Sequence, residues 1–268
     1  MHSFNFLAIF FCIGITHLFA QNTAELEPHW WQPNGTVNAV LRDGNTVYLG
    51  GEFTYLGPDE PYGAAVNTST GAVDFAYLNP NATVLTAISD GSGGWYIGGD
   101  FTQVGGQTRN RLARINSDGS LHAWNPDADG TVSTLELNSG VVYAGGDFNQ
   151  IGGQARRKVV ALDAATGAPT AWIGPALING TISTLKGSGS SIYAGGSFSY
   201  MGPDEPYGAA INTTTGVPNL AYLNPNGNVS EAIVDGSGGW YIGGSFTQVG
   251  GQTRNRLARI NSDGSLHA

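Results

Sequence analysis

The sequence has a single cysteine, Cys12, in 268 residues. It lies in the apolar stretch Phe4–Ala20, which contains no Lys, Arg, Asp or Glu. This stretch predicts a signal peptide over residues 1–20, because it is short and ends on a small residue before the polar Gln21. The mature chain then has no cysteine, which excludes disulfides, zinc–thiolate sites and a cysteine nucleophile.

An uncleaved membrane anchor is the alternative for the same stretch, although it is barely long enough to span a bilayer. We therefore expect a chain that is exported to the cell surface or the medium, with no membrane insertion after cleavage. Residues 21–34 form an N-terminal segment in which Pro28–Pro33 resembles the last strand of a repeat unit.

Positive charge is also scarce, with 11 basic residues against 20 acidic ones and a net charge of -9. Such a chain repels phosphate backbones, so nucleic acid is not expected as a partner. Charged residues make up only 12% of the chain while glycine reaches 41 residues. This balance favours short strands and tight turns over amphipathic helices.

Common enzyme motifs are missing as well. The sequence has no Gly-x-Ser-x-Gly elbow, no His-Glu-x-x-His pair and no Gly-x-x-x-x-Gly-Lys loop. We therefore expect no catalytic residues and no cofactor other than a possible calcium ion. A carboxylate set at Glu52, Asp100 and Asp147 would be the basis of an enzyme acting on polysaccharide, but serine takes that position at 197 and 245.

An internal repeat dominates the rest of the chain. The pattern Tyr-x-Gly-Gly-x-Phe occurs five times, with spacings of 48, 47, 50 and 48 residues. A period of this size is typical of propellers and solenoids. Each unit reads as four short strands, for example Thr131–Leu137, Val141–Phe148, Lys158–Asp163 and Pro169–Ile173. The predicted fold is an all-β, propeller-like array of four-stranded antiparallel blades.

The predicted units span residues 35–82, 83–129, 130–179, 180–227 and 228–268. Paired glycines inside the second strand indicate a bulge or a close approach between blades, and the following Phe is interpreted as core. Asp90–Ala123 recurs as Asp235–Ala268 with one difference in 34 positions, which indicates duplication of a three-unit block. The fifth unit stops before its fourth strand, so we expect further C-terminal repeats or domains to be missing from this chain.

The segment Trp95–Leu121 resembles the delta-sixty-type β-propeller repeat of secreted bacterial proteins. It shares the Gly-Gly-x-Phe, Gly-Gly, Arg-Leu-Ala-Arg and Asp-Gly elements in that order. Units one and four differ, with Pro58–Tyr62 and Pro203–Tyr207 in place of the arginine-rich segment. The resemblance implies a propeller fold and export, and supplies no catalytic residues.

Three groups of residues are candidates for ligands. Asp127 and Asp129 alternate as in calcium loops, although two carboxylates do not complete a calcium shell and turns use such residues without metal. Arginine clusters in corresponding loops are either solvated loop charge or a ring that binds an acidic glycan; they contain Arg109, Arg111, Arg156, Arg157, Arg254 and Arg256. Trp30 and Trp31 could stack on a sugar or belong to a strand.

Two functions remain open at this point. Like residues repeated in every unit favour a secreted non-catalytic module that binds an extracellular glycan or protein, because a catalytic site needs unlike groups at one point. The alternative is a propeller enzyme, including a quinoprotein, since Ala161–Gly167 followed by Trp172 is similar to a tryptophan-docking motif. Against the quinoprotein, units one and four carry the same Asx-x-x-Thr-Gly turn without a Trp.

Overall fold

The protein is described by a computed structural model that covers residues 32–57, 60–175, 179–202 and 205–268. Within these residues the secondary structure consists of β-strands and turns, with no helix. The predicted all-β, propeller-like fold class is therefore confirmed. The predicted signal peptide, Pro28 to Trp31, and the strand-like role of Trp30 and Trp31 lie outside the described residues.

Five antiparallel sheets of three or four strands follow one another along the described residues, and each is the body of a blade; blades 2, 3 and 5 add a separate two-stranded hairpin. Blade 1 contains β1 (Val37–Asp43), β2 (Thr46–Gly51), β3 (Gly63–Asn67) and β4 (Val73–Asp74). Blade 2 contains β5 (Val84–Ser89), β6 (Trp95–Gly99), β7 (Gln103–Val104), β8 (Gln107–Thr108) and β9 (Leu112–Ile115). Blade 3 contains β10 (Thr131–Asn138), β11 (Val141–Asp147), β12 (Gln150–Ile151), β13 (Gln154–Ala155) and β14 (Val159–Asp163). Blade 4 contains β15 (Thr181–Ser188), β16 (Ser191–Ser197) and β17 (Gly208–Asn212). Blade 5 contains β18 (Val229–Val234), β19 (Trp240–Gly244), β20 (Gln248–Val249), β21 (Gln252–Thr253) and β22 (Leu257–Ile260).

The fourth strand is shorter than the sequence predicts. Only blade 1 forms a four-stranded sheet among the described residues, in the order β1-β2-β3-β4. In blade 3 the predicted strand Pro169–Ile173 is reduced to one bridge, between Leu162 and Pro169. Main-chain hydrogen bonds flank this bridge on both sides, from the amide of Asp163 to the oxygen of Ala168 and from the amide of Thr170 to the oxygen of Ala161. The same holds for the bridge between Ile211 and Pro218 in blade 4.

The two glycines of each repeat have different roles. In blades 1 to 4, a Cβ on the first glycine would meet the β-branched residue at the start of the next blade, as Gly98 shows with Val132 Cγ1 at 2.8 Å. A Cβ on the second would collide with the carbonyl that precedes the blade's own first strand, as Gly99 shows with Thr83. The register shifts at this point, which is the signature of a β-bulge. Both predicted reasons for the glycines are thus confirmed, one at each position.

First strands of consecutive blades pack against each other, so blades 1 to 5 are neighbours in chain order. The repeated phenylalanines are at most 1% exposed, which confirms that they are core residues: Phe53, Phe101, Phe148, Phe198 and Phe246. Trp124 and Trp172 are also buried.

Candidate functional site

A cleft of about 370 Å³ opens between blades 2 and 3. It lies where the loop before β9, the linker between the two blades and the β12–β13 hairpin meet. We call the side of the molecule that carries these loops and linkers the hairpin face. The lining residues are Asn110, Arg111, Asp127, Ala128, Asp129, Gln150 and Gly153. The cleft therefore combines amide, carboxylate and guanidinium groups from two blades.

The linker fixes Asp127 at the cleft. Asp127 has a left-handed backbone, with φ of 59°, a conformation that aspartate adopts more readily than most residues. Its Oδ1 accepts a hydrogen bond of 2.7 Å from Nδ2 of Asn110. This bond joins the loop of blade 2 to the linker that leads into blade 3.

Asp129 binds the backbone of the hairpin that follows. Its Oδ1 accepts hydrogen bonds from the amides of Asn149 at 2.8 Å and Gln150 at 2.9 Å. Asparagine makes the corresponding pair of bonds in the other four blades, at Asn34, Asn81, Asn179 and Asn226. The carboxylate thus has a loop-stapling role that does not depend on its charge.

The two carboxylates proposed for calcium do line the same cleft. The described residues contain no group of three or more His, Cys, Asp or Glu side chains that could hold a metal ion. A calcium ion at Asp127 and Asp129 would need neutral oxygen ligands in addition, since calcium takes six to eight oxygens.

Arg111 is held by the main chain of its own blade. Its φ is 65°, and its Nη1 donates to the carbonyl oxygens of Asp100 at 2.6 Å and Phe101 at 3.2 Å. Every blade has a residue with positive φ at this place; the five are Tyr62, Arg111, Lys158, Tyr207 and Arg256. In blade 3 the side chain of Lys158 pairs with Asp147.

The other candidate arginines do not converge on the cleft. Three of them donate a hydrogen bond from Nη2 to a main-chain carbonyl oxygen in the last segment of their own blade. The pairs are Arg109 with His122 at 2.9 Å, Arg156 with Thr170 at 3.4 Å and Arg254 with His267 at 2.9 Å. Arg157 and Arg256 are exposed. The structure therefore brings Arg111 together with Asp127 and Asp129, and the other candidate arginines do not line the cleft.

Asn110 and Gln150 are site residues that sequence reasoning missed. Asn110 lies between Arg109 and Arg111, and the sequence pattern of that loop was interpreted by its charged residues alone. Gln150 belongs to the short β12 strand, which the sequence did not predict. The sequence signal for both is position: each lies in a loop or hairpin that follows the second strand.

Two of the three carboxylates of the suspected acidic set, Asp100 and Asp147, are bound individually. Oδ1 of Asp100 accepts a 2.5 Å hydrogen bond from the hydroxyl of Thr131 in blade 3, and Asp147 is paired with Lys158. The Asx-x-x-Thr-Gly turn has an equally local explanation. Hydrogen bonds from Thr166 and Ala165 outweigh burial and lower the pKa of Asp163.

Comparisons with known proteins agree with a propeller. A family model described as a domain of unknown function (DUF5122) beta-propeller matches residues 91–121 and 237–266, which are corresponding parts of blades 2 and 5. No curated protein matches the chain. The described residues include no helix with the length and hydropathy of a membrane span.

Solved structures with a similar fold include the following two. One is the computationally designed Ika8 protein, with 10% identity, a TM-score of 0.56, and coverage of 87% of this chain and 60% of that chain. The other is the extracellular domain of the putative hybrid two component system BT4673 from B. thetaiotaomicron, with 16% identity, a TM-score of 0.52, and coverage of 85% and 28%. This chain thus spans less than two thirds of either structure, and at such identities the likeness shows fold alone. The matches and the blade geometry together support a β-propeller repeat protein.

Proposed function

We propose that the chain is a secreted, non-catalytic β-propeller module that binds a neutral glycan on its hairpin face. The observation that carries this proposal is the cleft between blades 2 and 3, which is lined by polar side chains of both blades. Its volume of about 370 Å³ lies within the ordinary range for small-ligand sites.

The chemistry of the lining favours hydroxyl-rich ligands. Amides of Asn110 and Gln150 can donate and accept, while the carboxylates of Asp127 and Asp129 accept only. Neighbouring hydroxyls of a sugar ring offer the matching donors and acceptors. Two carboxylates stand against the single guanidinium of Arg111, so an acidic glycan would be repelled at this cleft. A neutral sugar therefore fits this cleft better than the acidic glycan considered for the arginine clusters.

Two observations support a binding role over catalysis. Asp127 accepts a hydrogen bond from Asn110 and Asp129 accepts two from the backbone, so each carboxylate has a structural task. General acid–base work on a glycoside needs one carboxyl group kept protonated by its surroundings and another kept ionised. The contacts of Asp127 and Asp129 are both explained by loop packing, and they do not mark one carboxyl group as an acid and the other as a base.

Export is supported by the apolar stretch before Gln21 and by the resemblance of Trp95–Leu121 to the delta-sixty-type repeat of secreted proteins. The neighbour described as an extracellular domain points in the same direction. We therefore place the proposed ligand outside the cell.

The test is a glycan array followed by calorimetry with the bound glycan. Asn110→Ala should weaken binding about five- to tenfold, the usual effect of one lost hydrogen bond. Asn255→Ala is the matched control, because Asn255 is the counterpart of Asn110 in blade 5 and does not line the cleft. Binding that is equally strong in both variants, or no glycan bound at all, would contradict the proposal.

A further inference from the structure

Blade 5 repeats the second and third strands of blade 2. Asp235–Ala268 repeats Asp90–Ala123 at all but one of 34 positions, the exception being Ser245 in place of Asp100. The second and third strands of blade 5 therefore present the same residues to a following blade as those of blade 2. The first strand lies outside the duplicated segment, and β18 differs from β5 at three of six positions, including Glu231 in place of Thr86.

In blade 2 that face is covered by blade 3. Val132 is fully buried and lies against Gly98, where a Cβ would be only 2.8 Å from Val132 Cγ1. The ring of Trp124 packs on Tyr96 with centroids 5.0 Å apart. The hydroxyl of Tyr96 donates to the carbonyl oxygen of Ala164 at 2.6 Å. The interface thus consists of the aliphatic side chain of Val132, which we call the knob, the indole of Trp124 and the carbonyl acceptor of Ala164.

In blade 5 the corresponding face is open among the described residues. Leu257 is 66% exposed, whereas its counterpart Leu112 is 0% exposed. Tyr241 is 38% exposed, against 2% for Tyr96. A Cβ on Gly243 would have one neighbour within 4 Å, the oxygen of Arg256 at 3.8 Å, so the site of the aliphatic knob is empty of side chains.

We propose that this face of blade 5 is a docking surface for a further propeller unit of the blade 3 type. Such a unit carries a β-branched residue at the position of Val132 and a turn carbonyl at that of Ala164, and the segment before it carries an indole at the position of Trp124. The proposal is independent of the glycan site, because it concerns packing between blades.

The order of blade types favours this occupant over a second copy of the chain. Blades 4 and 5 repeat blades 1 and 2, so the interfaces in the structure join type 1 to 2, type 2 to 3, and type 3 to 1. In a second copy, blade 1 would follow blade 5. A blade of type 2 followed by a blade of type 1 occurs nowhere in the described residues, where type 2 is followed by type 3.

The open face of blade 1 fits the same unit on its other side. Blade 4 is the counterpart of blade 1 and packs on blade 3. Its residues Ile182 and Leu185 lie in that interface and are both 0% exposed. Blade 1 has Val37 and Val40 at these positions, and Val40 is 42% exposed. One unit of the blade 3 type therefore has matching surfaces for both open faces.

The experiment extends the chain from Gln21 with a copy of Trp124–Gly174 after Ala268, which reproduces the natural Ala123–Trp124 junction. Leu257→Cys introduces the only thiol, and its alkylation rate is measured with and without the extension. We expect the extension to slow alkylation at least tenfold. Ile173→Cys is the control for general accessibility, since Ile173 is 65% exposed on blade 3 and its rate should not change.

A second variant tests the knob itself. Val132→Asp placed in the appended copy alone should restore fast alkylation, because a carboxylate cannot occupy the apolar site at Gly243. Unchanged alkylation in the extended chain would overturn the proposal. Protection of the unextended chain that rises with protein concentration, with dimers in sedimentation, would overturn it in favour of a second copy.

Discussion

The indole nitrogen of Trp124 donates a 3.0 Å hydrogen bond to the main-chain oxygen of Asp163, and so joins the end of blade 2 to a turn of blade 3. An aromatic donor makes the same bond at each of the other three interfaces. The pairs are Tyr77 with Ser117, Trp172 with Asn212 and Tyr222 with Ser262. Adjacent blades are therefore held by one repeated polar bond as well as by apolar packing.

Removing one of these donors should loosen a single interface. Tyr77→Phe deletes the 3.1 Å bond to Ser117 and leaves the ring in place. We expect a loss of about 0.5–1.5 kcal/mol in unfolding free energy, measured in urea. Tyr55→Phe is the control in the same blade, because Tyr55 is 42% exposed and exposed positions usually change stability by less than about 0.5 kcal/mol. Equal losses in both variants would argue against an interface role for the hydroxyl.

The glycine pair gives a second matched comparison. Gly98→Ala places a methyl group 2.8 Å from Val132 and 2.9 Å from Thr86, and overpacking of this kind costs about 1–3 kcal/mol. Gly243→Ala, at the corresponding position of blade 5, meets no side chain within 4 Å. We expect thermal melting to show a clear fall for the first variant and almost none for the second. A similar fall in both would mean that the methyl group disturbs the strand itself.

The repeat made the fold predictable because one pattern marks the second strand of every blade, and the glycines in it encode the bulge and the approach of the next blade. The docking donors Tyr77 and Tyr222 were not predicted. Blades 1 and 4 have no tryptophan at the docking position. The hydroxyls of Tyr77 and Tyr222 donate the same hydrogen bond there. The donor is conserved in chemistry and not in residue type.

The candidate site was only partly predictable for a related reason. Arg111, Asp127 and Asp129 were expected as ligands, and they do meet at one cleft. Arg109 and Arg156 instead bind carbonyls 13 and 14 residues further along the chain. No local pattern shows which distant carbonyl a long guanidinium side chain will reach, so charge alone could not separate anchoring arginines from exposed ones.

Acid should weaken the anchor between Asp90 and Arg114. Burial opposes ionisation of Asp90, but hydrogen bonds from Ser92, Arg114 and Gly94 outweigh it and lower its pKa. A lowered folded pKa means that the stabilisation is present above the unfolded value of about 4 and is lost as pH falls through the folded value. Asp90→Asn should melt lower at pH 7 and lose less on acidification, in melts from pH 7 to pH 2. Parallel curves for the two proteins would contradict this assignment.

Asp129 either holds the hairpin by its amide hydrogen bonds or binds calcium, and two substitutions distinguish these roles. Its Oδ1 accepts two amide hydrogens, and asparagine does the same at Asn34, Asn81, Asn179 and Asn226. Asp129→Asn keeps that oxygen, so in chelator its melting temperature should match the parent within about 1 °C, since the change falls in the class of near-neutral surface substitutions. Asp129→Ala is the contrasting variant, because it leaves the amides of Asn149 and Gln150 without their acceptor and should melt lower. Calcium bound by Asp127 and Asp129 together would raise the melting temperature of the parent by mass action, and would raise it much less in Asp129→Asn. Equal melting temperatures of the parent in calcium and in chelator would remove both aspartates as metal ligands and leave the staple as the role of Asp129.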